Sequence, residues 1–408
     1  MRHVSILASA ARDLPALTHS PARRKSLGAQ KKRAYHRGMT LLDGITSRLI
    51  DTDRLSVNIL ERTADSPDTA DESTIVFVHG NVASSLFWQE LMQDLPAELR
   101  VLAVDLRGFG DTEHMPVDAT RGVRDFSDDL HATLAELGIE SAHLVGWSLG
   151  GAVIMQYALE HPVRSLTLQA PASPYGFGGT RRDGSRLTDD DAGCGAGGTN
   201  PDFVERLNQR DASDEAPTSP RNIFRNGFVA PGYTTEHEDI WVESMLSTST
   251  ATGNFPGDAT ASEHWPGFAA GRIGVGNTLA PKYFNVSSIV DLEEKPPILW
   301  VHGDADAVVS DASFSDINHL GALGIVPDWP GEEVAPAQPM VSQTRDVLQA
   351  YVDAGGQVSE LALEGVGHAP HLERPVEFRR ALLELIGYIG APQHPAPPTE
   401  AIILSSSD

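Results

Sequence analysis

The chain has 408 residues and a formal net charge of −25 at neutral pH, with 56 acidic residues against 31 Lys and Arg residues. The single cysteine, Cys194, excludes an intramolecular disulfide, and no stretch approaches the ~20 apolar residues that a membrane helix needs. An acidic surface opposes nucleic-acid binding, so the composition predicts a protein that binds neither nucleic acid nor membrane.

The first 38 residues differ in charge from the rest, because nine Lys or Arg residues and one acidic residue lie there. Their basic clusters, at 23–25 and 31–33, are typical of a disordered arm, an organelle transit-like peptide, or translated sequence upstream of a start at Met39. We predict a basic disordered leader over 1–38 or a start at Met39. The apolar run 4–8 is too short for a secretory signal, so a cytoplasmic location is predicted.

The next elements along the chain are read from runs of apolar residues. A hairpin is predicted at 47–50 and 55–61, then strands near 74–79 and 100–104 and helices near 86–94 and 122–137. The strand near 74–79 ends in His79-Gly80-Asn81, and the strand near 100–104 leads into a Gly-bearing turn at 105–112.

Residues 146–150 read Gly-Trp-Ser-Leu-Gly, between a strand-like run at 142–146 and a helix-like run at 149–160. A serine on such a sharp turn has a strained backbone and needs small neighbours for close approach. The turn lifts the hydroxyl toward the helix N-terminus, where N–H groups favour a developing negative charge. Ser148 is therefore the candidate nucleophile. The alternative is an ordinary Gly-rich turn with a solvent-facing serine.

After a strand near 164–170 the strand and helix alternation stops, and residues 172–295 are predicted to form an inserted lid. Short helices are predicted in it at 203–209 and 238–246. The candidate substrate-binding residues are aromatic and large enough to line an apolar cavity, and they are Trp147, Tyr175, Phe177 and Trp241. Further aromatic candidates are Phe228, Trp265 and Tyr283, although lid aromatics mostly form the lid's own core.

A buried strand is predicted at 297–302, and it ends in Gly303-Asp304-Ala305-Asp306. A carboxylate at this strand end can hold an imidazole in its useful tautomer. Asp306 is the preferred acid, whereas Asp304 fits a turn former or helix cap better. The prolines of 319–340 predict an extended loop that packs along the lid or at an oligomer contact.

The alternation of strands and helices ends with a last strand near 357–363 and helices near 341–354 and 376–388. His368 lies on a loop after Gly367, from which its ring can swing over a neighbouring strand end, and it is the candidate base. His371 competes with it, but the entry to the last helix is a place where a surface or capping role is more usual. The tail 391–408 is predicted to be flexible apart from 402–404.

The chain order Ser148, Asp306, His368 is the order of the α/β-hydrolase fold. With the motifs at 79–81, 105–110, 146–151, 303–306 and 367–368, the sequence resembles the α/β-hydrolase superfamily from residue 45 to 390. The resemblance implies an α/β fold with a doubly wound, mostly parallel sheet, a core at 39–171 and 296–390, and the lid inserted between strands.

The same resemblance implies roles for individual residues. Ser148, Asp306 and His368 would form a catalytic triad, the backbone amides of Asn81 and Leu149 an oxyanion hole, and His79 a structural support under the pocket. Residues 79–81 with 83–88 also look like those of haloalkane dehalogenases and epoxide hydrolases, which use an aspartate nucleophile. Serine at position 148 makes their alkyl-enzyme chemistry unexpected here.

These patterns predict a cofactor-independent serine hydrolase, with no metal, that cleaves an ester or lactone of a bulky, largely apolar small molecule through an acyl-enzyme. Carbon–carbon bond hydrolysis and acyl transfer are alternatives on the same triad. A non-catalytic ligand-binding protein is the alternative from a different class. Homo-oligomer formation is left open by the sequence.

Overall fold

The computed structural model describes residues 40–62 and 74–388, together with the backbone of a short strand at 402–403. The chain divides into two units, Met1–Gly38 and Met39–Asp408, and every described residue belongs to the second. The predicted leader at 1–38 and most of the predicted tail at 391–408 therefore lie outside the described residues.

The main sheet of the described residues has nine strands: β1 (Ile45–Asp51), β2 (Ser56–Arg62), β3 (Thr74–Val78), β4 (Arg100–Val104), β5 (His143–Trp147), β6 (Ser165–Gln169), β9 (Ile298–Gly303), β10 (Val358–Leu363) and β11 (Ile402–Ile403). Their order across the sheet is β1-β2-β4-β3-β5-β6-β9-β10-β11. The pairs β1·β2, β2·β4 and β10·β11 are antiparallel, and the other neighbours are parallel. This is the predicted doubly wound, mostly parallel sheet.

The central strands are buried on both faces. Every residue of β3, β6 and β9 is buried, which is typical of parallel strands covered on each side. Successive residues of β5 point to opposite faces. A Cβ at Gly146 would overlap the helix that follows the strand, whereas the Trp147 ring contacts His371 on the other face.

The described α-helices are α1 (Gln89–Asp94), α2 (Arg124–Glu136), α3 (Leu149–Glu160), α4 (Pro201–Asn208), α5 (Pro220–Ile223), α6 (Glu238–Leu246), α7 (Ile317–Ala322), α8 (Met340–Asp353), α9 (Pro370–Glu373) and α10 (Pro375–Leu385). In the core, α2 packs against α3 and α1 against α10. The predicted helix 86–94 is a 3-10 turn at Ser85–Trp88 that continues as α1. None of these helices is long and apolar enough to cross a membrane.

Between β6 and β9 the chain leaves the sheet, and the insertion (residues 172–295) carries α4, α5, α6 and a small antiparallel pair, β7 (Ala259–Ala261) with β8 (Phe268–Ala270). The predicted helices correspond to α4 and α6. α4 begins where it does because the Asn200 side chain accepts the N–H of Asp202, while Pro201 occupies the first turn. A π turn at Phe224–Phe228 was not predicted.

The prediction of an extended loop over 319–340 is wrong at its start. α7 occupies that part because the Asp316 side chain accepts the N–H of Asn318 at 3.0 Å and so caps the helix. The rest has no helix until Met340 begins α8. The segment does contact the insertion, since Trp265 Nε1 donates to the Pro327 carbonyl at 2.8 Å.

Strand β11 lies within residues 402–404, the one segment of the tail that was not predicted to be flexible. It pairs with β10 through Ile403 opposite Ser359 and Ile402 opposite Glu360. β10 is thereby flanked on both sides, by β9 and by β11, over the described residues.

Candidate active site

Ser148 lies at the turn between β5 and α3. Its φ of 56° and ψ of −116° fall in a region that non-glycine residues rarely adopt. Its own N–H donates to the Gln169 carbonyl at the end of β6, at 2.9 Å. The half-buried side chain is therefore held at the carboxyl edge of the sheet, at the N-terminus of α3.

Two glycines make this turn sterically feasible. A Cβ at Gly146 would overlap the carbonyl oxygen of Gly150, and a Cβ at Gly150 would overlap the carbonyl oxygen of Val78. Any side chain at either position would force β3, β5 and α3 apart. The Gly-x-Ser-x-Gly spacing is thus needed by close backbone approach, as predicted.

The backbone N–H groups of Asn81 and Leu149 donate to no acceptor among the described residues. Leu149 is the first residue of α3, where N–H groups have no partner within the helix. Beside Asn81, Val82 has a φ of 51°, and the Asn81 side-chain oxygen accepts its N–H at 3.0 Å. Both free donors follow the ends of adjacent strands, β3 and β5.

His79 is a buried support for this region. Its Nδ1 donates to the Gly80 carbonyl at 2.7 Å, and its Nε2 accepts the N–H of Leu106 at 2.9 Å. Burial lowers the pKa of His79 and favours this neutral tautomer, although Asp105 opposes the shift. The ring therefore joins the loops after β3 and β4, which is the structural role predicted for it.

Asp306 and His368 form a buried pair. His368 Nδ1 donates to Asp306 Oδ2 at 2.8 Å, and the two residues are 2% and 4% exposed, respectively. The other carboxylate oxygen of Asp306 accepts the N–H groups of Val308 at 2.7 Å and Val309 at 2.9 Å. With Nδ1 used in this way, Nε2 is left to accept a proton.

Ser148 and His368 are brought to the same edge without a direct hydrogen bond between them in the described structure. Instead, the Trp147 indole N–H donates to the His368 carbonyl at 2.7 Å, and the Trp147 and His368 ring centroids are 5.6 Å apart. The residue before the serine thus anchors the histidine loop. In unliganded enzymes catalytic hydrogen bonds are often long and shorten only when substrate binds.

Asp304 and His371, the alternatives to Asp306 and His368 as acid and base, have structural roles. Asp304 accepts the N–H of Gly365 at 2.7 Å, which is the turn-forming role expected for it. The surface or capping role predicted for His371 is wrong, because the residue is 2% exposed. Its Nδ1 accepts from Gln169 Nε2 at 2.8 Å and its Nε2 donates to the Phe87 carbonyl at 3.1 Å. Burial lowers the pKa of His371 to about 3.

A cluster of buried aromatic side chains lies beside Ser148 and His368. Phe87 is at its centre, with ring-centroid distances of 5.1 Å to Trp147, 5.2 Å to Trp241 and 6.1 Å to Phe228. We call it the aromatic cluster, with the members Phe87, Trp147, Phe224, Phe228 and Trp241.

The four predicted substrate-binding residues fall into two groups. Trp147 and Trp241 belong to the aromatic cluster and are 1% and 0% exposed, so their rings are covered by other side chains. Tyr175 and Phe177 are half-buried and make no hydrogen bond or ring contact with Ser148, Asp306 or His368. Contact of these residues with a substrate stays a prediction.

Glu373 is a site residue that sequence reasoning missed. Its Oε1 accepts the N–H of Gly367, next to His368, and its Oε2 accepts the N–H of Ala230 in the insertion, each at 2.9 Å. Burial raises the pKa of Glu373, while the two N–H groups act in the opposite direction. The only signal in the sequence was an acidic residue five positions after the candidate base.

No group of three or more His, Cys, Asp or Glu side chains suited to a metal ion occurs in the part of the chain that is described. Cys194 is buried beside Ala270 and Ala280, and burial raises its pKa well above the ordinary value for a thiol. The candidate chemistry proposed here uses Ser148, Asp306, His368 and the backbone N–H groups of Asn81 and Leu149.

The similarity of the chain to known proteins concerns its fold and its family. Residues 73–190 match the α/β hydrolase fold family. The chain is 31% identical over 138 residues to a probable lysophospholipase, BODYGUARD 1 of Arabidopsis thaliana, a match that covers 31% of this chain and 28% of that protein. It is 37% identical over 101 residues to a pimeloyl-[acyl-carrier protein] methyl ester esterase of Aliivibrio salmonicida, covering 25% of this chain and 36% of that protein.

Among solved structures, a putative aryl esterase from Burkholderia cenocepacia superimposes with a TM-score of 0.51 at 19% identity, over 84% of this chain and 98% of that one. At this identity the likeness concerns the fold. The chain therefore has the α/β-hydrolase fold, and residues 73–190 match the family of that fold. It spans well under half the length of the two curated relatives named above.

Proposed function

We propose that the protein is a serine hydrolase that cleaves a carboxylic ester or lactone through an acyl-enzyme. The observation that carries the proposal is the buried Asp306–His368 pair, with 2.8 Å between Oδ2 and Nδ1, at the same sheet edge as the strained Ser148 turn. The local similarity to ester-cleaving relatives supports the same reaction class.

In the acylation step, His368 Nε2 removes the proton of the Ser148 hydroxyl as Oγ bonds to the acyl carbon. The carbonyl π electrons move onto oxygen, and the N–H groups of Asn81 and Leu149 stabilise that oxyanion because neither has another acceptor. Collapse of the intermediate breaks the ester C–O bond. The protonated imidazole gives its proton to the departing alkoxide, which leaves as an alcohol.

In the deacylation step, water replaces the alcohol. His368 removes a proton from the water as it attacks the acyl carbon, and Ser148 Oγ leaves with that proton while the carboxylic acid is released. Asp306 stabilises the imidazolium of both steps through the bond to Nδ1, and the Val308 and Val309 N–H groups orient its carboxylate. No cofactor takes part in these steps.

The proposed substrate is a small molecule that is bulky and largely apolar. The insertion supports this, since residues 172–295 add aromatic side chains next to the site, including Phe224, Phe228 and Trp241 of the aromatic cluster. Apolar and aromatic linings are typical of sites that bury most of such a ligand. An ester or lactone is favoured over an amide because its carbonyl is more reactive.

The experiment is turnover of a panel of esters and lactones graded in acyl and alcohol size, with wild-type protein and Ser148→Ala side by side. Wild-type turnover with loss of activity in the folded Ser148→Ala variant supports the proposal. Ser288→Ala, at an exposed position of the insertion, is the matched control and is expected to keep wild-type rates. Undiminished turnover by Ser148→Ala would refute the assignment.

A further inference from the structure

Phe228 is the member of the aromatic cluster that contacts the candidate base. Its ring centroid lies 6.2 Å from that of His368 and 5.4 Å from that of Trp147. The planes of the Phe228 and Trp147 rings are nearly perpendicular, at 88°. No other residue of the insertion has a ring contact with His368 in the described structure. Phe228 therefore borders the base from the side of the insertion.

The backbone that carries Phe228 has an unusual conformation. Residues Phe224–Phe228 form a π turn, in which the Val229 N–H donates to the Phe224 carbonyl at 3.2 Å. The wider turn separates its two phenylalanines. Phe224 contacts Phe87 at 6.2 Å between centroids, whereas Phe228 reaches Phe87, Trp147 and His368. Single π turns within helices frequently occur at functional sites.

The end of this segment is tied to the loop that carries the base. Glu373 accepts the N–H of Ala230, two residues after Phe228, and the N–H of Gly367, one residue before His368. A Cβ at Gly367 would touch the Val229–Ala230 backbone, so the two loops lie in direct contact. The position of Phe228 relative to His368 is thus set by hydrogen bonds on both sides.

The part of the substrate that meets Phe228 follows from the direction of proton transfer. His368 must deliver its proton to the leaving oxygen, so the alcohol group leaves on the His368 side of Ser148. Phe228 stands on that side and is 8% exposed, the largest exposed fraction in the aromatic cluster. The Phe228 ring therefore borders the alcohol part of the substrate, which is the part that leaves toward the base.

We propose that Phe228 is the residue that limits the size of the alcohol group of the substrate. This inference rests on the proposed serine hydrolase function and adds a substrate class to it, namely esters with a bulky acyl part and a small alcohol part. A large alcohol group would have to displace the Phe228 ring from Trp147 and His368.

The test compares two ester series with wild-type protein, Phe228→Ala, Phe228→Leu and Phe228→Trp. One series holds the acetyl group constant and enlarges the alcohol from methyl to butyl and benzyl, and the other holds methanol constant and enlarges the acyl group. Phe224→Ala is the matched control, because this phenylalanine shares the turn and the aromatic cluster but has no ring contact with His368. Phe228→Leu keeps the site testable if the alanine variant does not fold.

We expect the kcat/KM ratio of benzyl to methyl acetate to rise on the order of tenfold in Phe228→Ala or Phe228→Leu and to fall in Phe228→Trp, since one methylene in a pocket already changes selectivity this much. The ratio in Phe224→Ala and the acyl-series ratios should stay at wild-type values. An unchanged alcohol ratio in all folded Phe228 variants overturns the inference, as does an equal change in Phe224→Ala or a change confined to the acyl series.

A result that overturns the proposed function differs from one that overturns only the role of Phe228. If wild-type protein hydrolyses no member of either series and a fluorophosphonate leaves Ser148 unmodified, the serine hydrolase assignment is overturned and this inference with it. If wild-type protein is active and Ser148→Ala is not, the alcohol ratios alone decide the role of Phe228.

Discussion

The indole N–H of Trp147 donates to the backbone carbonyl of His368 at 2.7 Å. The residue that precedes the candidate nucleophile thereby holds the loop of the candidate base, across 221 residues of sequence. Both groups are buried, so the hydrogen bond has no competition from solvent.

Trp147→Phe should therefore reduce activity by loosening the His368 loop. The variant leaves a buried carbonyl without its donor, which costs about 1–3 kcal/mol of unfolding free energy. We expect kcat for ester hydrolysis to fall at least several-fold with little change in KM. Trp241→Phe is the matched control, because the Trp241 Nε1 has no hydrogen-bond partner among the described residues. Equal effects of the two substitutions on kcat would contradict the role given to Trp147.

Asp306→Asn should reduce kcat by roughly 10³–10⁴-fold, because an amide in this position favours the wrong tautomer of the histidine. The measurement is steady-state hydrolysis of the best ester in the panel. Asp304→Asn serves as the control, since Asn can still accept the Gly365 N–H that Asp304 binds. If Asp304→Asn loses as much activity as Asp306→Asn, the choice of Asp306 over Asp304 as the acid of the triad is contradicted.

Glu373→Gln should weaken the connection between the insertion and the His368 loop. A glutamine has one carbonyl oxygen, so one of the Gly367 and Ala230 N–H groups would face an NH₂ group instead of an acceptor. We expect a loss of about 1–3 kcal/mol of unfolding free energy together with slower ester turnover. Glu364→Gln, at an exposed position of the same loop, is expected to match the wild type in both. Wild-type amide exchange at Gly367 and Ala230 in Glu373→Gln would argue against the connection.

His371 should make stability depend on pH. Burial lowers its folded-state pKa from 6.5 to about 3, so the unfolded chain binds a proton first as the pH falls. The stabilisation is complete above pH ~6.5 and is lost toward pH ~3, by about 1.4 kcal/mol per pH unit.

The measurement for His371 is urea unfolding across this pH range for wild-type protein and His371→Gln. The wild type should lose stability more steeply than the variant, and other buried histidines contribute equally to both. His264→Gln, at an exposed position, should keep the wild-type slope. Parallel slopes for wild type and His371→Gln would show that this histidine is not held neutral.

The parts that could be predicted from the sequence depend on local patterns. β3 and β9 are mostly apolar runs, β6 alternates apolar with polar residues, and β10 contains both kinds. Both glycines of the Ser148 turn are explained by contacts within a few residues or with the adjacent strand. Asp306 and His368 follow two of these strands directly, so their position along the chain indicated the edge of the sheet at which they lie.

The parts that could not be predicted depend on contacts between distant residues. The burial of His371 arises from Gln169 and Phe87, 202 and 284 residues away, and Glu373 binds Ala230 at a separation of 143 residues. The π turn at Phe224–Phe228 has no local sequence marker of the kind that Asn200 provides for α4. For α7, Asp316 is such a marker, but the prediction over 319–340 rested on the prolines and did not include it.

The most direct test of the central claim is reaction of the native protein with a fluorophosphonate, followed by peptide mass spectrometry. An activated serine reacts rapidly, so we expect one adduct per chain on Ser148, lost in Ser148→Ala and slowed in Asp306→Asn. Absence of an adduct on the folded wild-type protein, or an adduct on another residue that persists in Ser148→Ala, would contradict the assignment of Ser148 as the nucleophile.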